Sequence, residues 1–199
     1  YLFVFFYSSE VLLAVSKNLN NDVIRVSTNE ISEWELLKRS NKWLNPDLPA
    51  CPKSFDAYWK DCFGGYEYDD GDKFFGEWLN NEIGDFGFFW TKDNSFYVGE
   101  FRNSNFHGDG RYSYWDGITT YEGDFEQGYF QGYGVKKQEG QYEYTGEFKK
   151  DLFQGRGQLT LLDGDPYENR HVYSGSFQQG EFHGEGTYTV YLNGVVKSK

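Results

Sequence analysis

Tyr97-Val98-Gly99-Glu100-Phe101, followed after four residues by Phe106-His107-Gly108-Asp109-Gly110, is the phrase on which the fold turns. The chain writes it again as Tyr121-Glu122-Gly123-Asp124-Phe125 with Phe130-Gln131-Gly132-Tyr133-Gly134, and as Tyr144-Thr145-Gly146-Glu147-Phe148 with Phe153-Gln154-Gly155-Arg156-Gly157. It returns as Tyr173-Ser174-Gly175-Ser176-Phe177 with Phe182-His183-Gly184-Glu185-Gly186. A looser copy begins at Phe74-Phe75-Gly76-Glu77-Trp78, where Asp85 replaces an expected Gly and Gly84 falls one place early. Starts at 74, 97, 121, 144 and 173 lie 23, 24, 23 and 29 residues apart. Five copies in matched register define a repeat array.

Ring, Gly and ring alternate at the first, third and fifth positions, so an extended strand sends both rings to one face with a slot between them. A short turn follows, marked by Gly128 and Gly180 or by Asn81 and Asp151. The second strand carries Gly-x-Gly, which permits close backbone approach or a bend. Each copy ends on a pair such as Asp70-Gly71, Asp93-Asn94, Asp116-Gly117, Glu139-Gly140, Asp163-Gly164 or Asn193-Gly194, read here as two-residue hairpin turns. The expected fold is all-β, an elongated single-layer antiparallel meander.

The phrase resembles the MORN repeat, whose core is Tyr-x-Gly-x-Phe followed by His-Gly-x-Gly, and the resemblance runs from Phe74 to about Val196. His stands only at His107 and His183; Gln131 and Gln154 replace it elsewhere. Phe63-Gly64-Gly65 echoes the second half of the phrase, so residues 54–73 are read as a degenerate first copy ahead of the array at 74–199. The resemblance implies a scaffolding and membrane-proximal role. The stretch from Cys51 to Cys62 that leads into it also resembles the preface of such arrays in exported bacterial proteins.

Composition fits a fold held by rings. Aromatics make up 21% of the 199 residues, with 19 Phe and 17 Tyr, and the chain is acidic, with a formal net charge of -12. Up to Lys53 six basic and six acidic residues cancel, so the whole imbalance lies in the repeats. Such a surface repels phosphate backbones and anionic headgroups, which argues against nucleic acid and against membrane contact by bulk electrostatics.

The front is different. Residues 1–16 begin at Tyr1 with no Met in the chain, which suggests a fragment or processed form. They read as the apolar core of a signal peptide or, alternatively, as a strand or helix of a soluble protein, with Glu10 interrupting the run. Export to the periplasm, envelope or medium is taken forward, with the cytoplasm as the alternative. Residues 17–53 form a polar linker and cap, in which Ile31, Trp34 and Leu37 share helical spacing. Cys51 and Cys62 are too few for a zinc site and are read as a disulfide, with two unpaired thiols as the alternative.

For function, the aromatic stripe of Trp78, Tyr97, Phe101, Tyr121, Phe125, Tyr144, Phe148, Tyr173 and Phe177 is the first candidate, although ring stacking within the array is its main role. The acids Glu77, Glu100, Asp124 and Glu147 form a row read as a solvated face rather than a cation site. Asp163, Asp165 and Glu168, in the one irregular insertion, are read as a specificity loop rather than a calcium loop. His107 and His183 serve the repeat; no cluster accompanies them for metal or acid–base work. The reading is a non-catalytic binding scaffold without cofactor or metal, its partner a protein. Direct lipid or glycan binding along the stripe is one alternative, and an accessory region of an enzyme whose catalytic domain lies outside this chain is another.

Overall fold

Twelve antiparallel strands pair in strict sequence order in a computed structural model that describes residues 47–52, 57–162 and 169–198. They are β1 (Cys62–Glu67), β2 (Lys73–Leu79), β3 (Glu82–Trp90), β4 (Phe96–Arg102), β5 (Asn105–Ser113), β6 (Thr119–Glu126), β7 (Tyr129–Gln138), β8 (Tyr142–Lys149), β9 (Leu152–Leu162), β10 (Arg170–Gln178), β11 (Glu181–Leu192) and β12 (Val195–Ser198). The sheet is a single open meander, as the alternation requires. Residues 1–16, the helix read around Ile31, Trp34 and Leu37, and the loop of Asp163, Asp165 and Glu168 lie outside the described residues.

The two kinds of turn differ in a way the sequence reading missed. Within each repeat the hairpin closes through two residues, both at positive φ: Asn80 and Asn81, Asn103 and Ser104, Gln127 and Gly128, Lys150 and Asp151, Gln179 and Gly180. That is the type I′ geometry, which matches strand twist. Between repeats the loops are longer, with three residues at 69–71, 92–94 and 139–141 and four at 115–118. Asp70-Gly71, Asp93-Asn94, Asp116-Gly117 and Glu139-Gly140 are therefore not two-residue turns; only the second residue of each takes positive φ, after an ordinary first half. Asn193-Gly194 alone of the described pairs is the expected tight turn.

Register explains the glycines. Gly99 pairs with Gly110, Gly123 with Gly134, Gly146 with Gly157 and Gly175 with Gly186. Immediately after each first Gly the register slips, because the second strand holds extra residues there. This bulge is made by the first Gly of Gly-x-Gly, which sits at φ 56 in Gly108, 61 in Gly132, 59 in Gly155 and 61 in Gly184, a left-handed conformation that favours Gly. The second Gly answers a different need. A Cβ on Gly110, Gly134, Gly157 or Gly186 would lie within 2.4–2.6 Å of the Tyr ring or hydroxyl above it.

At the front of the sheet, residues 49–51 pair along the outer edge of β1, with Ala50 in a parallel bridge to Phe63. Cys51 N–H donates to Phe63 O at 2.9 Å, Phe63 N–H donates to Pro49 O at 2.8 Å, and Cys51 is disulfide-bonded to Cys62. Trp59 then donates its N–H to Asn81 Oδ1 at 2.6 Å and accepts Asn81 N–H at 2.7 Å. Trp59 and β1 thus stand where the second half of a preceding repeat would stand, with Gly64 paired to Gly76.

Candidate functional site

The first-position tyrosines are the keystones of the ring face. Tyr97, Tyr121 and Tyr144 are 0% exposed and lie flat on Phe106, Phe130 and Phe153, with centroids 3.8 Å apart in each pair. Tyr173 repeats this on Phe182 at 4.1 Å. Tyr97, Tyr121 and Tyr144 each also meet a fifth-position Phe edge-on twice, once in their own repeat and once in the next: Tyr97 is 5.2 Å from Phe101 and 5.0 Å from Phe125. Tyr121 reaches Phe148 at 4.9 Å and Tyr144 reaches Phe177 at 5.0 Å. Edge-to-face pairs at such distances add about 1 kcal/mol beyond burial, so these contacts couple neighbouring repeats.

The bulge carbonyl takes its hydrogen bond from the same tyrosine. Tyr97 Oη donates to Glu100 O at 2.7 Å, Tyr121 to Asp124 O at 2.9 Å, Tyr144 to Glu147 O at 2.9 Å and Tyr173 to Ser176 O at 3.1 Å. Burial raises the pKa of Tyr97 and Tyr121 well above the ordinary value and that of Tyr144 to about 12, which keeps these hydroxyls protonated as donors.

The position-four acids have a structural task as well. Asp124 Oδ2 accepts Tyr133 N–H at 2.9 Å and Glu147 Oε1 accepts Arg156 N–H at 2.8 Å, so each carboxylate caps a bulge of its own hairpin. The row read as merely solvated is, at these two residues, a set of backbone caps. The Gln that replaces His also has a role in the repeat: Gln131 Oε1 accepts Lys150 N–H and Gln154 Oε1 accepts Gln179 N–H, each at 3.2 Å, joining one repeat to the turn of the next. His107 lines an open cleft with Arg102, Asn105 and Glu126. Among the described residues no group of three or more His, Cys, Asp or Glu is placed to hold a metal ion.

All nine residues of the aromatic stripe are buried, Trp78 and Tyr173 at 6% and 8% included. They build the core, and the surface of the ring face is made by a second row that lies across from them. Phe89 pairs with Phe74, Tyr112 with Tyr97, Lys136 with Tyr121, Leu159 with Tyr144 and Tyr188 with Tyr173. This row, with Tyr66, Tyr68, Tyr114 and Tyr142, is half-buried or exposed. Its phenols feel the packing: burial raises Tyr68 and Tyr142 and pushes Tyr114 to about 12. The second row was missed in the sequence, although it falls two residues after the last Gly of each phrase. A separate aromatic cluster, Phe75, Phe86, Phe88, Trp90 and Phe96, occupies the opposite face at the front of the sheet, where centroids of Trp90 and Phe96 are 5.0 Å apart.

Direct comparison with curated proteins finds no match. The family model for the MORN repeat matches residues 97–119, 121–137, 144–165 and 173–189. The copy at Phe74 falls outside those matches and departs from the others in geometry too: Phe74 takes the ring slot above Gly76 and Gly87 with no hydroxyl, and Gly84 is not in the left-handed region. The four matched copies of the phrase, folded as register-matched hairpins of one open antiparallel sheet, are MORN repeats carried by this chain.

Proposed function

We propose that this protein is a non-catalytic scaffold that holds a protein segment on the second row of its ring face. The observation that carries the reading is the division of labour between the two rows. The first row is spent on the core, while Tyr112, Tyr114 and Tyr188 present apolar bodies with polar tips, and Leu159 an aliphatic one, at half-buried or exposed positions of a regular surface. Tyrosine suits binding because it gives large contact area with few rotors. The disulfide between Cys51 and Cys62 supports a place in an oxidising compartment outside the cytoplasm.

Affinity capture with the full chain tests the role. One protein should be retained by the native chain and by Thr145→Glu, a residue on the opposite face, and lost by Tyr112→Glu and Leu159→Glu. Co-sedimentation with liposomes or polysaccharide covers the alternatives. Binding there with no protein retained would replace the proposal. Equal capture by all variants would move the site off this face.

A further inference from the structure

Lys136 is out of character in its row. Its counterparts are Phe89, Tyr112, Leu159 and Tyr188, all uncharged, and it stands at the middle of the five. The repeats carry an excess of acid, yet the one charge in this row is positive. The side chain is half-buried between Tyr121 and Tyr144, across from both, and its Nζ lies 5.3 Å from the Tyr114 ring centre and 5.5 Å from that of Phe130. Desolvation by these rings lowers the ammonium pKa.

Asp151 is the carboxylate that acts on Lys136 at longer range, but its Oδ1 accepts Phe130 N–H at 2.8 Å. Among the described residues Lys136 makes no ion pair. An ammonium partly withdrawn from water and standing over ring faces without a direct ion pair retains most of its capacity for a carboxylate, and low local dielectric strengthens the pair that forms.

We propose that Lys136 is the anchor of the ring-face surface and pairs with a single Asp or Glu of the bound segment, whose flanking side chains are aliphatic or aromatic. The proposal rests on the reading of this face as a protein-binding surface and specifies its ligand. Charge complementarity selects the acid. Spacing selects the flanks: Tyr112 and Leu159 lie two strands to either side of Lys136, about 10 Å at ordinary strand separation. A segment in polyproline II conformation, with three residues per turn at about 3.1 Å each, would cover that distance on one face in about three residues and a helix in about seven. The ligand therefore carries an apolar residue three or seven places before its acid and another as far after it.

A displayed library of random 20-residue peptides, selected on the full chain, is the probe. Enriched peptides should carry one acid between apolar residues at one of these spacings and should compete with one another. The binding of a synthesised winner should weaken about tenfold or more with Lys136→Met. Lys136→Arg should keep it within a few-fold. Changing the peptide's acid to its amide should cost the native chain a similar factor and the Lys136→Met chain almost nothing. Met keeps the length and apolar stem of Lys, so unchanged thermal unfolding of Lys136→Met verifies the comparison. Winners that are weakened by Tyr112→Ala or Leu159→Ala but indifferent to Lys136→Met would overturn the anchor and leave the surface standing. Winners indifferent to all three, or no winners, would overturn both.

Discussion

Gly134→Ala should be among the most damaging single-methyl additions to this protein. The new Cβ would stand 2.6 Å from Tyr121 Oη and 2.7 Å from the ring carbons Cε2 and Cζ, whereas ordinary contact begins at 3.4 Å. The ring must withdraw by about 0.8 Å, and it has nowhere to go. It is 0% exposed, lies 3.8 Å from Phe130, and is held edge-on by Phe125 and Phe148. Moving it also breaks the hydrogen bond to Asp124 O. Overpacking costs about 1–3 kcal/mol, and loss of a partly buried hydrogen bond about 1 kcal/mol more. A total near 3 kcal/mol would lower Tm by roughly 6–12 °C for a chain of this size.

Gly117→Ala is the control, since Gly117 has positive φ but nothing within 4 Å of a Cβ; it should cost only about 1 kcal/mol of backbone strain. Urea unfolding followed by near-ultraviolet circular dichroism measures both. The decisive variant is Gly134→Ala on a Tyr121→Ala background, where the methyl enters the emptied slot and its cost should largely vanish. If Gly134→Ala is no worse than Gly117→Ala, or costs the same with the ring removed, the ring-slot account of the second Gly is wrong.

Asp124→Ala should lower stability by about 1 kcal/mol through loss of the bulge cap, with faster amide exchange at Tyr133; Asp124→Asn, which keeps an acceptor, should lose less. Alkaline pH should unfold the array. Tyr114 and Tyr144 have folded pKa values near 12 against 10.0 unfolded, so stability should be level below pH 10 and fall as pH rises from there through about 12. Phenolate absorbance should show these two rings titrating late; a single ordinary transition near 10 with the fold intact would contradict the packing. Reduction, or Cys51→Ala with Cys62→Ala, should cost about 2–3 kcal/mol by freeing the segment paired to the edge of β1. Faster exchange should then appear at Cys51 and Phe63 N–H and not at Tyr144, and uniform acceleration would show that the bond acts on the whole sheet.

Periodicity made the hairpins readable because ring, Gly and ring at alternate places have few other solutions. What escaped the sequence depended on hydrogen bonds between residues that alternation does not relate. Asp93-Asn94 looks like a tight-turn pair, but Thr91 O accepts Asn94 N–H and Thr91 N–H donates to Ser95 O, which sets a three-residue loop. Asp124 looks solvated until the bulge brings Tyr133 N–H to its carboxylate. The stripe residues were recognisable as rings, while their burial follows from cover supplied by Phe106, Phe130 and Phe153 on the returning strand. Lys136 could be found from the phrase alone by writing out the residue two places after each Gly-x-Gly. It is the one position in that column where a charge appears among aromatic and aliphatic residues.

The two-residue turns give the array a direction. Gly128 N–H donates to Phe106 O, Asp151 N–H to Phe130 O and Gly180 N–H to Phe153 O, so these three turns are each latched to the repeat before them. Removing a hairpin from the rear leaves a carbonyl to be hydrated, whereas removing one from the front strands an amide donor, the harder group to leave alone. During synthesis every new hairpin emerges beside a finished template that already offers its acceptor.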